Sequence, residues 1–299
     1  MTRRVTLVVN PSSGRGRAQE LLPQVAGKLR DAGLELEILL SRDFAEAQSM
    51  TGHAVASGVD VLAVMGGDGM MHLGLNTVAH AREAGNVEVA LGVIPAGTGN
   101  DFVRGVGLSP KDPVAAAEAI GAGVLREVDL AKVNDRYIGA VMATGFDALV
   151  NRRANALPWP KGSLRYPLAT LAELRVFSPL HYELTVDSRP RRLDAMLVAV
   201  GNTRSYGGGM QVCPDADPED GLLDITIVHP VSRLKLLQLL PRMYSGSFVR
   251  DSCVEQLRAK EILVEGPGLV GFGDGEMISA APLTIRAVPR ALPVFVPAA

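Results

Sequence analysis

Between residues 5 and 94, short and nearly unbroken apolar runs alternate with helix-like stretches. The runs at 5–9, 34–40, 59–65 and 87–94 read as strands, and 18–31, 44–57 and 72–84 read as helices. Strands separated by helices of this length predict βαβ units and a parallel sheet, covered on both faces. Strands apolar along their whole length agree with such double burial.

After residue 127 the pattern changes. Strand-like runs follow one another at 128–133, 137–144, 182–187, 193–200, 223–228, 261–265 and 283–287. Helix candidates interrupt them only at 164–176 and 231–243. Successive strands with turn signals predict a mostly antiparallel β domain. The expected division is an α/β domain over 1–128 and a β domain over 129–291. The tail 292–299 holds one more strand-like run, 292–296, which the pattern leaves with either domain.

Composition narrows the class. The chain has 299 residues, 47% hydrophobic and 21% charged, which excludes disorder as its main state. Its 32 Gly and 19 Pro follow no collagen period, so the excess belongs in turns. A formal net charge of −2 makes no electrostatic case for nucleic acid. Two cysteines are too few for a disulfide framework or a four-cysteine zinc site, and they suit a reducing cytosol. The apolar run at 5–9 is too short for a signal-peptide core. No apolar run approaches the roughly 18 residues of a membrane span. The expectation is a soluble protein, or one resting on a membrane surface.

Candidate chemistry sits in Gly-rich turns. Asn10-Pro11-Ser12-Ser13-Gly14-Arg15-Gly16 joins the first strand to the first helix. It reads either as a phosphate loop at a helix N-terminus or as a tight turn. It is neither a P-loop nor a GxGxxG fingerprint. Gly66-Gly67-Asp68-Gly69 follows the third strand, at the carboxyl end where α/β sheets bind ligands. Asp68 there suits Mg²⁺ on a nucleotide, proton acceptance, or a helix cap. Pro95-Ala96-Gly97-Thr98-Gly99-Asn100-Asp101 follows the fourth strand in the same way and adds a hydroxyl and two polar side chains. In the β region, Gly207-Gly208-Gly209 precedes the acidic stretch Asp215 to Asp220, which is either a hard-cation site or a solvated turn. Gly273-Asp274-Gly275-Glu276 frames two further acids and also reads as a hairpin turn.

Taken in order, these motifs resemble the bacterial diacylglycerol kinase and lipid kinase family, which includes sphingosine and ceramide kinases. The likeness runs over nearly the whole chain. It takes in Asp220-Gly221-Leu222-Leu223-Asp224 and Asp274-Gly275-Glu276 as well. The resemblance implies an ATP-carrying N-terminal domain like that of NAD kinases and phosphofructokinases, and a C-terminal β-sandwich. It implies nucleotide contacts from Asn10, Ser41, Gly66, Gly67, Asp68, Gly69, Met70, Met71, His72, Thr98, Asn100 and Asp101. Glu276 corresponds to the proton acceptor from the lipid hydroxyl. Structural Mg²⁺ falls on Asp217, Asp220 and the main chain of Leu222. Most bacterial members carry Thr where this chain has Met70; the run Met70-Met71-His72 is similar to the sphingosine-kinase branch, in which the aspartate matching Asp68 has been viewed as the base.

The function implied is transfer of the ATP γ-phosphoryl to a lipid hydroxyl, with diacylglycerol the expected acceptor. It takes place at the inner face of the membrane, and the family also forms homodimers. The segment 157–160, with the only Trp of the chain and Arg152, Arg153, Lys161 and Arg165 around it, reads as an anionic-lipid contact or as a packed loop. The competing readings are a small-molecule kinase like NAD kinase, a sphingoid-base kinase, and a non-catalytic nucleotide- or lipid-binding relative.

Overall fold

A computed structural model describes residues 2–85, 88–146, 148–150, 153, 172 and 178–298. The expected helix over 164–176, residue 172 apart, and the segment 157–161 with Arg152 and Arg165 lie outside the described residues. In chain order the elements are β1 (Arg4–Val9), α1 (Arg17–Asp31), β2 (Glu35–Leu40), α2 (Phe44–Ala56), β3 (Val61–Gly66), α3 (Asp68–Glu83), β4 (Ala90–Pro95), α4 (Asp101–Gly105), α5 (Pro113–Ala122), β5 (Leu125–Val133), β6 (Arg136–Ile138) and β7 (Val141–Gly145). They continue with β8 (Leu180–Val186), β9 (Arg189–Ala195), β10 (Leu197–Gly201), β11 (Leu223–Val228), α6 (Arg233–Met243), β12 (Val254–Ala259), β13 (Glu261–Glu265), β14 (Val270–Gly273), β15 (Glu276–Ala280) and β16 (Leu283–Phe295). The chain divides into two compact units: Met1–Leu130 with Pro218–Asp220 and Val288–Ala299, and Ala131–Asp217 with Gly221–Ala287.

The first unit is α/β, as the alternation predicts. Its parallel strands run in the order β2-β1-β3-β4. Val294 of β16 lies parallel beside Leu91. Neighbouring residues of a strand point to opposite faces. A Cβ on Gly74 of α3 would meet Val64, whereas one on Gly92 would meet Ala63 and Ile120 of α5. So α3 and α5 cover opposite faces, and β3 and β4 are buried along their whole length. Local signals set the helix ends. Asp43 accepts the Glu46 N–H while Glu46 accepts the Arg42 N–H, which starts α2. Asp112 caps α5, with Pro113 in its first turn and Gly123 left-handed after its end. α3 begins at Asp68, four residues before the expected start, because Gly67 already serves as its N-cap.

The second unit is mostly antiparallel. One sheet has the order β12-β11-β10-β7-β14-β15. The other joins the first half of β16 to β13, β8 and β9, with β6 on the end of β5. Two expected strands are each divided between the sheets. The run 137–144 breaks at Gly139 and Ala140, so β6 pairs with β5 and β7 with β10. The run 193–200 breaks at Met196, so β9 pairs with β8 and β10 with β7 and β11. Such strand exchange forms the corners of a sandwich. Between the sheets lie Met142, Tyr182, Val198, Ile225, Ile262 and Ile285, all fully buried. The other face of the six-stranded sheet is covered by α6, through Leu236, Leu239 and Met243. The runs 283–287 and 292–296 are two ends of one strand, β16. β12, β14 and β15 carry too many polar or glycine positions to show as apolar runs.

Cys213 is sealed in that second core, where its thiol donates to the Asp224 carbonyl at 3.3 Å. Burial pushes this thiol up to about 12. Cys253 is half-buried, and burial and then the neighbouring Asp251 carboxylate raise its thiol too. At pH 8 a thiol near 12 is thiolate in only about one part in 10⁴. Ellman's reagent at pH 8 should therefore label Cys253 slowly and leave Cys213 untouched until denaturant is added, as read by peptide mass spectrometry. Equal native labelling of the two cysteines would show that this core opens.

Candidate functional site

Three loops leave the carboxyl ends of the adjacent strands β1, β3 and β4, the edge at which parallel α/β sheets bind ligands. The first turns at Asn10. Its side-chain carbonyl accepts from the Ser12 amide at 3.1 Å and hydroxyl at 2.7 Å, and its own N–H donates to Met65 of β3. Gly14 and Arg15 are left-handed, and Gly14 lies directly against the carbonyl of Ala96.

The second and third loops touch through main chain and through the Asp68 carboxylate. The N–H groups of Ala96 and Gly97 both donate to the Gly66 carbonyl, at 2.7 and 3.0 Å. A Cβ on Gly97 would fall on the Cα of Gly67, and one on Gly99 would fall on the Asp68 carboxylate. These glycines are demanded by packing between loops as well as by any approach of a ligand. Asp68 occupies the first position of α3, and its carboxylate accepts the Asp101 N–H at 3.2 Å. It thus links the start of α3 to the start of α4.

Around this junction the predicted residues differ in what they present. Thr98 is exposed on the third loop. Asn100 is left-handed and buried; its amide donates to Gly97, and its Oδ1 has no hydrogen-bond partner among the described residues. Asp101 is buried, with the Arg104 guanidinium 3.9 Å away. Ser41 is buried at the end of β2, and both its N–H and its hydroxyl donate to the Val9 carbonyl. Met70 packs its side chain over Gly66. Met71 and His72 are also buried, and the N–H groups of Met70 and Met71 both donate to the Gly67 carbonyl, so these three residues build the start of α3. The first N–H groups of any helix have no partner within it and carry its positive dipole end. Helix N-termini of this kind are favourable places for anions.

In the second unit Asp274 and Gly275 both have positive φ, 51° and 85°, the two-residue turn that joins β14 to β15. The Asp274 carboxylate accepts the Gly139 and Ala140 N–H groups, each at 2.9 Å. This clamp causes the break between β6 and β7. Glu276 is exposed at the first position of β15, opposite Gly273. Gly207, Gly208 and Gly209 are all left-handed, in the turn bridged by Tyr206 and Met210. Asp217 and Asp220 are exposed, and Leu222 is half-buried. Among the described residues, no group of three or more His, Cys, Asp or Glu side chains is placed to hold a metal. The sequence reading passed over Asp129, a lone acid inside the apolar run 128–133. It is buried; its N–H donates to Pro218 at 2.7 Å and its carboxylate accepts from Arg290. It ties down the turn that carries Asp220.

Residues 4–133 match the diacylglycerol kinase catalytic domain, and residues 140–296 match the YegS C-terminal NAD kinase beta sandwich-like domain. The chain belongs to the diacylglycerol kinase family and is a lipid kinase. A diacylglycerol kinase of Mycobacterium tuberculosis (strain ATCC 25618 / H37Rv) is 41% identical over 300 residues, which is 98% of this chain and 95% of the relative. A diacylglycerol kinase of Bacillus subtilis (strain 168) is 27% identical over 88% of this chain and 86% of its own. The crystal structure of a diacylglycerol kinase from Bacillus anthracis str. Sterne is similar with a TM-score of 0.79 at 26% identity, over 99% of this chain and 97% of that one. Among the described residues, no helix is long and apolar enough to cross a membrane.

The contact of Gly99 with Asp68 is directly testable. Gly99→Ala should push the third loop off the Asp68 carboxylate, weaken nucleotide binding at least tenfold and cost about 1–3 kcal/mol of stability. Gly27→Ala is the control. It lies within α1 with open space around its Cβ, and should be neutral or stabilise by about 0.5–1 kcal/mol. Calorimetric titration with ATP and thermal melts measure both.

Proposed function

We propose that the protein transfers the γ-phosphoryl group of ATP to the free hydroxyl of a lipid, and that the lipid is diacylglycerol. The observation that carries this reading is the three-loop edge, where the N-terminus of α3 and Asp68 are held by main-chain contact with the Gly97–Gly99 loop. Phosphoryl transfer needs positioning and charge more than covalent help. Main-chain N–H groups at the start of α3 bind phosphate oxygens, and Thr98 adds an exposed hydroxyl. Among the described residues the buried Oδ1 of Asn100 has no donor, which fits a nucleotide hydroxyl or a bound water.

Glu276 is the proposed general base. It takes the proton of the lipid hydroxyl as that oxygen attacks the γ-phosphorus, and the bond to the β–γ bridging oxygen breaks to release ADP. Asp274 holds the turn that presents it. Mg²⁺, when bound, supplies positive charge. The all-oxygen set of the Asp217 and Asp220 carboxylates and the Leu222 carbonyl suits such a hard cation in a structural role. Asp68, at the phosphate-binding end of α3, suits one on the nucleotide. In the second unit a small apolar cavity of about 30 Å³, water-sized rather than lipid-sized, lies under α6, lined by Phe146, Leu197, Met210, Leu236, Leu239 and Met243 among others. The name of the Mycobacterium tuberculosis relative supports diacylglycerol as acceptor.

The test is radiolabelled ATP with a panel of diacylglycerol, sphingoid base and NAD. Label in phosphatidic acid alone is the expected result. Two substitutions examine the roles. Glu276→Gln should lower kcat by about 10²- to 10⁴-fold with little change in ATP affinity; a fall of less than fivefold places the base elsewhere. Asp68→Asn should abolish turnover while the melting curve stays cooperative, and near-normal turnover in the folded variant removes it from the mechanism.

A further inference from the structure

α6 buries one face and leaves the opposite face without cover. Leu236, Leu239 and Met243 point into the core. Leu234, Leu237, Pro241 and Tyr244, three or four residues apart, form one exposed stripe, with the exposed Gln238 beside it. Leu234 is 66% exposed, Leu237 40% and Tyr244 58%, although apolar side chains of this size are stabilised by leaving water. A helix apolar on both sides has its inner side explained by the fold and its outer side unexplained.

The charges around the stripe indicate what covers it. Residues 229–250 contain Arg233, Lys235, Arg242 and Arg250 and no acidic residue. The next residue, Asp251, takes Lys235 at 2.6 Å and Arg242 at 2.9 Å, which fastens α6 to the segment after it. Arg233 and Arg250 are exposed and, among the described residues, have no ion-pair partner. An apolar stripe with a tyrosine and exposed arginines, its nearby carboxylate Asp251 already held by two cations, is the composition of an interfacial helix. Anionic headgroups attract such a rim.

We propose that the outer face of α6 is the surface by which this protein seats on an anionic phospholipid bilayer, Leu234, Leu237 and Tyr244 entering the interface and Arg233 and Arg250 meeting the headgroups. The proposal rests on the reading of a membrane lipid as substrate.

Vesicle sedimentation tests it, with phosphatidylcholine vesicles containing about 30 mol% phosphatidylglycerol and with phosphatidylcholine alone. The wild type should pellet with the anionic vesicles. Leu234→Glu with Leu237→Glu, and separately Arg233→Glu with Arg250→Glu, should each lower partitioning at least tenfold. Both variants should keep the wild-type melting temperature and, within twofold, turnover of a short-chain diacylglycerol dispersed as monomers. A leucine variant that binds within twofold of wild type overturns the proposal. So does a variant that keeps vesicle binding but loses self-association, which makes a second copy the occupant. Equal loss of turnover on the monomeric acceptor also overturns it, because the leucines then serve catalysis. Vesicle binding through α6 by a protein that phosphorylates no lipid leaves the docking surface standing and refutes the substrate reading instead.

Discussion

The candidate site depends on a contact that leaves no room for side chains. The loops after β3 and β4 meet at Gly67 and Gly97, and Gly99 lies against the Asp68 carboxylate. Main-chain hydrogen bonds from Ala96 and Gly97 to Gly66 hold the loops at that distance. A loop held by main chain and packing, rather than by long polar side chains, loses little entropy when a phosphate arrives. The same closeness lets one carboxylate serve two helix starts, since Asp68 begins α3 and receives the first N–H of α4. Opposite charge at a helix N-terminus is favourable, so the acid is stabilised where it is placed.

The second unit achieves comparable definition by another means. Asp274 sits at a left-handed turn position and gives its carboxylate to two N–H groups that would otherwise have continued a strand. One side chain thereby shapes the β14–β15 hairpin, ends β6 and starts β7. Glu276 is exposed, but its main chain belongs to this clamped turn. Asp129 does similar work in the first unit, through Pro218 in the turn that carries Asp220. In both places an aspartate holds main chain, and the neighbouring acid is exposed.

α6 connects the chemistry to its setting. It closes one face of the six-stranded sheet, roofs an apolar cavity, and keeps leucines and a tyrosine on its outer surface. A kinase acting on a bilayer-resident acceptor has to meet substrate that does not diffuse through water. A helix with one apolar face in the core and leucines on the other suits the proposed membrane seat, and the double ion pair on Asp251 keeps it in place.

The parallel sheet, the antiparallel β region and the three Gly-rich loops were legible in the residues. Apolar periodicity reports burial, and strands buried on both faces leave long unbroken runs such as 59–65. The ordered motifs likewise marked Asp68 and Glu276. What a linear pattern does not carry is the identity of the neighbour. The runs 137–144 and 193–200 each look like one strand, and only the fold shows that Gly139 and Met196 are corners where the chain changes sheets. Met70, Met71 and His72 follow a loop motif in sequence, yet they lie in the first turns of a buried helix, so that their side chains are core. Asp129 gives no signal in the linear pattern, because its partners Pro218 and Arg290 lie far along the chain. By itself the sequence determined which residues are buried and where the chain turns, because both follow from local composition. Which glycine faces which carboxylate was decided by tertiary structure, because contacts between loops some thirty residues apart depend on how the sheet brings their ends together.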